Sequence, residues 1–118
     1  MARILIAEDA QSLADLYILL AKYGFQVLAV VKSGNEVVEF YEKSDPKSDV
    51  VIMDHRLERT PGIDVLRKIL ILDPSARIIF ASADDSIMED AIKAGAVDHI
   101  GKPFSIQQLV EVIKQSLD

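Results

Sequence analysis

Residues 50–57 read VVIMDHRL, so four apolar residues lead directly into the carboxylate of Asp54. Three of the four are β-branched, a composition that favours strands. A short apolar run without alternation is typical of a strand that is covered on both faces of its sheet. The stretch therefore predicts a buried strand that ends on an acid, and the rest of the sequence has to explain that acid.

Four more short apolar runs predict strands, at Ile4–Ala7, Val27–Val31, Ile78–Ala81 and Ala96–Ile100. The segments that follow the five runs carry apolar residues at helical spacing. These stripes are Leu13, Leu16, Tyr17, Leu20; Val37, Phe40, Tyr41; Ile63, Leu66, Ile69, Leu70; Ile87, Ala91, Ala94; and Ile106, Leu109, Val110, Ile113, Leu117. The pattern predicts an α/β protein with five βα units, in which a parallel sheet is flanked by helices on both faces.

Helix boundaries are predicted from residues that bond to the free backbone groups at a helix end, and from glycine or proline residues that stop a helix. Three capping boxes indicate helix starts: Ser33 with Glu36, Ser86 with Glu89, and Ser105 with Gln108. Thr60-Pro61 predicts a further start, with threonine as N-cap and proline as the first helical residue. Helix ends are predicted at Gly24, at Gly95 and before Pro74.

Composition limits the classes of function that the chain can have. The 118 residues predict one domain spanning residues 1–118, and half of them are hydrophobic. The chain has no cysteine, which excludes disulfides, cysteine–zinc sites and thiol catalysis. A net charge of −6 argues against direct binding to nucleic acid or an anionic membrane. Without a signal-peptide core or a span of about 18 apolar residues, we expect a soluble, cytoplasmic protein.

Polar residues follow four of the five predicted strands. Glu8 and Asp9 come after the first strand, Asp54 after the third, Ser82 after the fourth and Lys102 after the fifth. The carboxyl ends of parallel strands meet at one edge of the sheet, where ligands of such folds bind. Three carboxylates at one edge repel each other unless a cation neutralises them. Oxygen ligands without histidine or cysteine favour Mg²⁺, with Mn²⁺ as an alternative.

The same residues suit phosphoryl transfer. A carboxylate beside a metal ion can attack phosphorus and form an aspartyl-phosphate, which is the role predicted for Asp54. Lys102 can pair with the phosphoryl oxygens, and Ser82 can donate a hydrogen bond to one of them. Each residue also has an ordinary interpretation, as a helix cap, a turn acid, a strand end or a solvated loop lysine. Their joint occurrence at four strand ends favours the phosphoryl site.

These residues resemble a known family. Glu8-Asp9, Asp54 in VVIMDHRL, Ser82 in IIFASA and Lys102 in GKPF together resemble the receiver domain of two-component response regulators. The resemblance covers essentially the whole chain. It implies a CheY-like, flavodoxin-like fold with strand order 2-1-3-4-5, and a protein that catalyses only its own phosphorylation and dephosphorylation.

The resemblance also implies roles for individual residues. Asp54 would be phosphorylated by a sensor histidine kinase or a histidine phosphotransfer protein. Mg²⁺ would bind Glu8, Asp9, Asp54 and the backbone carbonyl of Arg56. Lys102 would contact the phosphoryl group, with a cis peptide bond to Pro103. Ser82 and His99 would be the switch residues, and they would change the surface formed by the helix after Ser82, the fifth strand and the last helix.

The chain departs from the family pattern at several positions. The family often has Met-Pro where this chain has Leu57-Glu58, and here the proline follows later, at Pro61. Serine replaces the commoner threonine at position 82, and histidine replaces the usual tyrosine or phenylalanine at position 99. The histidine predicts a switch that responds to pH. Arg56 and Asp84 lie where side chains of the family tune dephosphorylation.

Three other functions remain open at this point. A haloacid-dehalogenase-like phosphatase also uses an aspartate nucleophile, but it needs a second acid where this chain has Arg56. A receiver-like interaction module would work without phosphate. A nucleotide-binding or flavodoxin-type domain would need a glycine-rich loop in place of Glu8-Asp9. The downstream effector is unknown, and either a monomer or a phosphorylation-dependent homodimer fits the sequence, as does a receiver cut from a longer chain.

Overall fold

A computed structural model describes residues 1–9, 15 and 17–118 of the chain. It contains five strands, β1 (Arg3–Ala7), β2 (Gln26–Val31), β3 (Val50–Asp54), β4 (Ile78–Ser82) and β5 (Asp98–Gly101). The helices whose bounds lie within the described residues are α1 (Gly34–Lys43), α2 (Gly62–Leu72), α3 (Asp85–Ala94) and α4 (Ile106–Leu117). A 3₁₀ helix, Leu19–Tyr23, lies between β1 and β2. In the described part of the chain, no helix has the length and apolarity needed to cross a membrane.

The strands form one parallel sheet in the order β2-β1-β3-β4-β5, which confirms the predicted fold class and strand order. The strand that ends on Asp54 is central, because β3 pairs with β1 on one side and β4 on the other. Ala7 pairs with Met53, and Asp54 pairs with Ala81. The carboxyl ends of the three strands are therefore level with one another.

The two faces of the sheet explain the unbroken apolar run in β3. Val51 and Met53 face one core, which includes buried residues of α1, α2 and α3. Val50 and Ile52 face the other, which includes the 3₁₀ helix and α4. All four are at most 1% exposed. Since successive residues of a strand point to opposite faces, a strand that is covered on both sides must be apolar at every position.

The last strand begins later than predicted. The apolar run suggests a start at Ala96, whereas β5 begins at Asp98. Ala96 instead closes α3, because its backbone N–H donates to the carbonyl of Ala91 after Gly95 has adopted a φ of +118°. This arrangement is a common helix end, in which the residue after a left-handed glycine bonds back to the last turn.

The predicted helix starts hold in part. Ser105 and Gln108 form a complete capping box at α4. Ser33 caps α1 through the N–H of Glu36, but the carboxylate of Glu36 accepts from the Ser33 hydroxyl and not from its backbone. The prediction for Ser86 is wrong, because Asp84 caps α3 and accepts from both the N–H and the hydroxyl of Ser86, at 2.9 and 2.8 Å.

The start of α2 also differs from the prediction. Thr60 is not the N-cap, because Pro61 occupies that position with an extended ψ of 138° and the helix begins at Gly62. The predicted ends at Gly24, Gly95 and Asp73 are confirmed. In the first predicted stripe, Tyr17 and Leu20 are fully buried, while Leu13 and Leu16 lie outside the described residues.

Gly62 connects the fold to the end of β3. Its N–H donates to the carbonyl of His55 at 2.6 Å, which brings the start of α2 against the chain that follows Asp54. A Cβ atom at position 62 would lie 2.1 Å from the carbonyl oxygen of Asp54 and 2.7 Å from the Cα of His55. Only glycine permits this close approach of two backbone segments.

We predict that Gly62→Ala lowers the free energy of unfolding by about 1–3 kcal/mol, the usual cost of overpacking, because backbone has to move. Urea unfolding followed by circular dichroism measures the change. Gly101→Ala is the matched control, since a Cβ atom there has Met88 Cε at 3.8 Å as its nearest neighbour. Equal stability of the parent and Gly62→Ala would contradict the prediction.

Candidate functional site

The carboxyl edge of the sheet brings the predicted site residues together. Asp54 and Ser82 are the last residues of β3 and β4, and Glu8-Asp9 directly follow β1. Lys102 follows β5, where its N–H donates to the carbonyl of Ser82 at 3.0 Å. Its peptide bond to Pro103 is cis, as the resemblance implies.

Glu8, Asp9 and Asp54 form an acidic cluster at this edge. Each residue offers a carboxylate oxygen, and these oxygens lie within 4.8 Å of one another. Glu8 and Asp54 are only 1% and 3% exposed, whereas Asp9 is open to solvent. The acidic cluster is therefore anchored in the protein at two carboxylates and accessible at the third.

Lys102 lies between the two buried acids. Its Nζ donates to Oε1 of Glu8 at 3.0 Å and lies 2.9 Å from Oδ1 of Asp54. One ammonium group thus neutralises part of the charge of two carboxylates that water reaches poorly.

The pKa of Glu8 is raised from 4.5 to about 7. Burial of the carboxyl is the largest cause, followed by its hydrogen bond with Asp54 and the negative charge of Asp54, while Lys102 acts in the opposite direction. The charged form of Glu8 is therefore disfavoured in the absence of a further cation. A metal ion would favour it, because metal ligands have to be deprotonated.

Tyr17 is a further member of the site that sequence analysis missed. Its hydroxyl donates to Oε1 of Glu8 at 3.3 Å, although the side chain is fully buried. Burial and the charges of Glu8 and Asp54 raise the pKa of the Tyr17 phenol, so the hydroxyl keeps its proton. The helical spacing of Tyr17 predicts burial, but spacing alone does not show that the end of the side chain reaches the carboxyl edge.

The remaining predicted residues surround the acidic cluster. The Ser82 hydroxyl accepts from the N–H of Asp84 at 3.0 Å, so its proton is available to a second acceptor. His99 is exposed on β5 and lines a groove with Met88 and Ile92 of α3. Arg56 has an exposed side chain, and metal binding by its backbone carbonyl stays a prediction.

The donor set of the acidic cluster fits a hard divalent cation. It consists of carboxylates only, the ligand type of Mg²⁺, and it is the one group of three or more potential ligands found among the described residues. When all three acids are ionised, Lys102 offsets one negative charge and a divalent cation would offset the other two. Mg²⁺ therefore suits both the chemistry and the charge of the site.

Comparison with known proteins gives a consistent result. Residues 4–114 match the family described as the response regulator receiver domain. The chemotaxis protein CheY of Bacillus subtilis is 40% identical over 119 residues, a match that covers 98% of each chain. CheY of Thermotoga maritima is 37% identical over 116 residues, covering 96% of this chain and 95% of that protein.

A solved structure is similar over almost the whole chain. The similar chain is part of the crystal structure of the CheX–CheY–BeF3–Mg²⁺ complex from Borrelia burgdorferi. The matched chain has a TM-score of 0.91 at 25% identity, and the match covers 99% of this chain and 90% of that one.

The raised pKa of Glu8 predicts a pH dependence of stability in the absence of metal. Between pH 4.5 and a pH of about 7, the folded protein holds a proton on Glu8 that the unfolded chain releases. The contribution of Glu8 to the free energy of unfolding is therefore full below pH 4.5 and is lost as the pH rises through about 7.

We expect Glu8→Gln to remove this contribution, so that stability falls less between about pH 5 and about pH 8 than it does in the parent. Urea unfolding in a chelating buffer at both pH values measures the difference. Glu111→Gln, which changes an exposed acid on α4, should retain the parental dependence. Identical pH dependence in the parent and Glu8→Gln would show that Glu8 is ionised throughout.

Proposed function

The chain belongs to the response regulator receiver domain family, and we propose that it is a phosphorylation switch in which Asp54 is the phosphoryl acceptor. The donor would be a sensor histidine kinase or a histidine phosphotransfer protein. One observation carries the proposal. Lys102 lies 2.9 Å from the Asp54 carboxylate, which also lies within 4.8 Å of two further acids at a solvent-accessible edge.

The reaction needs little covalent chemistry from the protein. A carboxylate oxygen of Asp54 attacks phosphorus, the phosphorus–nitrogen bond to the donor histidine breaks, and its electron pair returns to the imidazole. Lys102 then turns its ammonium group from the carboxylates to the phosphoryl oxygens. The Ser82 hydroxyl, which already accepts from Asp84, donates to another of these oxygens.

Glu8, Asp9 and Asp54 would hold Mg²⁺, together with the backbone carbonyl of Arg56 that the family resemblance implies. When bound, Mg²⁺ supplies positive charge against the phosphoryl oxygens and so lowers the repulsion between phosphate and the acidic cluster. The complex that contains the structurally similar chain of Borrelia burgdorferi also contains Mg²⁺. This supports the choice of metal.

The output of the switch would be a change in partner binding. Phosphorylation adds negative charge and strong acceptors at Asp54, and the Ser82 hydroxyl would move toward them. His99 lies on the neighbouring strand and is exposed beside α3, and its ring would turn inward when Ser82 moves. The surface of α3, β5 and α4 would then bind an effector protein differently.

The experiment that tests the proposal is intact-mass spectrometry after incubation with Mg²⁺ and acetyl phosphate. We expect the parent to gain one phosphoryl group, which is lost again with time, and we expect no gain in Asp54→Asn or in the presence of a chelator. Asp90→Asn removes an exposed acid of α3 and should be phosphorylated like the parent.

Two results would contradict the proposal. Equal phosphorylation of Asp54→Asn would place the acceptor elsewhere. A parent that binds Mg²⁺ but takes no phosphoryl group from acetyl phosphate or from a phosphorylated histidine kinase would be an interaction module that works without phosphate. Steady hydrolysis of a small phosphate ester would instead indicate a phosphatase.

A further inference from the structure

Tyr17 connects the acidic cluster to the interior of the protein. Its side chain is fully buried in the core that lies between the sheet, the 3₁₀ helix and α4. From this core its hydroxyl reaches Oε1 of Glu8 at 3.3 Å. The same oxygen accepts from Lys102 at 3.0 Å, so two donors of different kinds converge on one carboxylate oxygen.

The two donors differ in what they can do during the reaction. Lys102 has a flexible stem, a partly exposed side chain and a second partner in Asp54. Tyr17 has a rigid ring enclosed by apolar residues, so its hydroxyl stays where the core places it. When Lys102 turns to a phosphoryl group, Glu8 loses its contact with the lysine but keeps the one with the phenol.

Tyr17 also packs toward the loop that carries the lysine. Its ring lies 6.3 Å from the ring of Phe104, measured between centroids, and Phe104 comes directly after the cis Lys102-Pro103 pair. A single buried side chain therefore contacts the metal-binding acid through its hydroxyl and lies beside the lysine loop through its ring.

We propose that Tyr17 is a positioning residue for the metal site, whose hydroxyl holds the Glu8 carboxylate in place for Mg²⁺. The inference deepens the proposed function and rests on it. It follows from the general behaviour of metal sites, in which hydrogen-bond partners of the ligands fix ligand orientation. Removing such partners typically lowers metal affinity roughly 10- to 100-fold.

The test is a calorimetric titration of the phosphate-free protein with Mg²⁺, comparing the parent with Tyr17→Phe. This substitution removes only the hydroxyl and keeps the ring that fills the core. We expect the dissociation constant for Mg²⁺ to rise about tenfold, at the lower end of that range because the hydrogen bond is long. Proton NMR spectra show whether the variant is folded.

Tyr41→Phe is a matched control from the opposite face of the sheet. The Tyr41 hydroxyl donates to the carboxylate of Asp73 at 2.5 Å, and the side chain is 2% exposed. The control therefore loses a phenol–carboxylate hydrogen bond as well, in this case a part-buried one that does not involve the acidic cluster. Its Mg²⁺ affinity should equal that of the parent.

A second background separates positioning from general loosening of the core. Glu8→Asp shortens the carboxylate by one methylene and withdraws it from the Tyr17 hydroxyl. In this background Tyr17→Phe should change Mg²⁺ affinity by much less than tenfold. With Glu8 intact, Tyr17→Phe should raise the Mg²⁺ concentration for half-maximal phosphorylation by acetyl phosphate about tenfold. The rate at saturating Mg²⁺ should equal that of the parent.

The outcomes distinguish this inference from the proposed function. Equal Mg²⁺ affinity of the parent and Tyr17→Phe would overturn it, as would an equal loss in Tyr41→Phe, an equal loss in the Glu8→Asp background, or a parent that does not bind Mg²⁺. If the Mg²⁺ affinity of Tyr17→Phe falls as expected but neither the parent nor any variant is phosphorylated, the positioning role stands and the phosphorylation switch fails.

Discussion

The burial of Glu8 and Asp54 beside one another, with a single ammonium group between them, is the constraint on which the structure depends. Two carboxylates that are almost inaccessible to water disfavour the folded state, and Lys102 compensates for only part of their charge. The rest of the fold keeps the arrangement in place. Apolar cores on both faces of the sheet hold β1 and β3 in place. The register of the two strands fixes where Glu8 and Asp54 lie at the edge of the sheet. An incompletely neutralised site of this kind is typical of functional residues that are maintained at a cost in stability.

The position of Asp54 follows from the central place of β3 in the sheet. Neighbouring strands pair with β3 on both sides, and the N–H of Gly62 binds the backbone directly after the acid. The backbone at and beside Asp54 is thus held from three directions by hydrogen bonds, while Lys102 and Asp9 are less enclosed. A carboxylate on a rigid strand beside less enclosed groups suits the proposed phosphoryl transfer, in which positioning and charge neutralisation supply most of the catalysis.

Most of the fold could be predicted from the sequence because it depends on local patterns. The five apolar runs predict five strands, and the strand ends predict which polar side chains meet. The errors lie where several residues compete for one local role. Asp84 and Ser86 can both cap a helix, and backbone geometry selects the aspartate. Ala96 is apolar like a strand residue but bonds into a helix end. Tyr17 was missed because helical periodicity predicts which side chains are buried, but not where the polar end of a buried side chain lies.

We expect a divalent cation to complete the acidic cluster, and thermal unfolding with and without Mg²⁺ tests this most directly. A ligand that binds only the folded state stabilises it, by an amount that grows with the logarithm of the ratio of ligand concentration to dissociation constant, and so raises the unfolding temperature. At matched ionic strength we expect a higher unfolding temperature for the parent in Mg²⁺, and a smaller shift when Asp54 is replaced by asparagine. An unfolding temperature that does not respond to millimolar Mg²⁺ would show that no divalent cation completes the acidic cluster and that the buried acids require no metal.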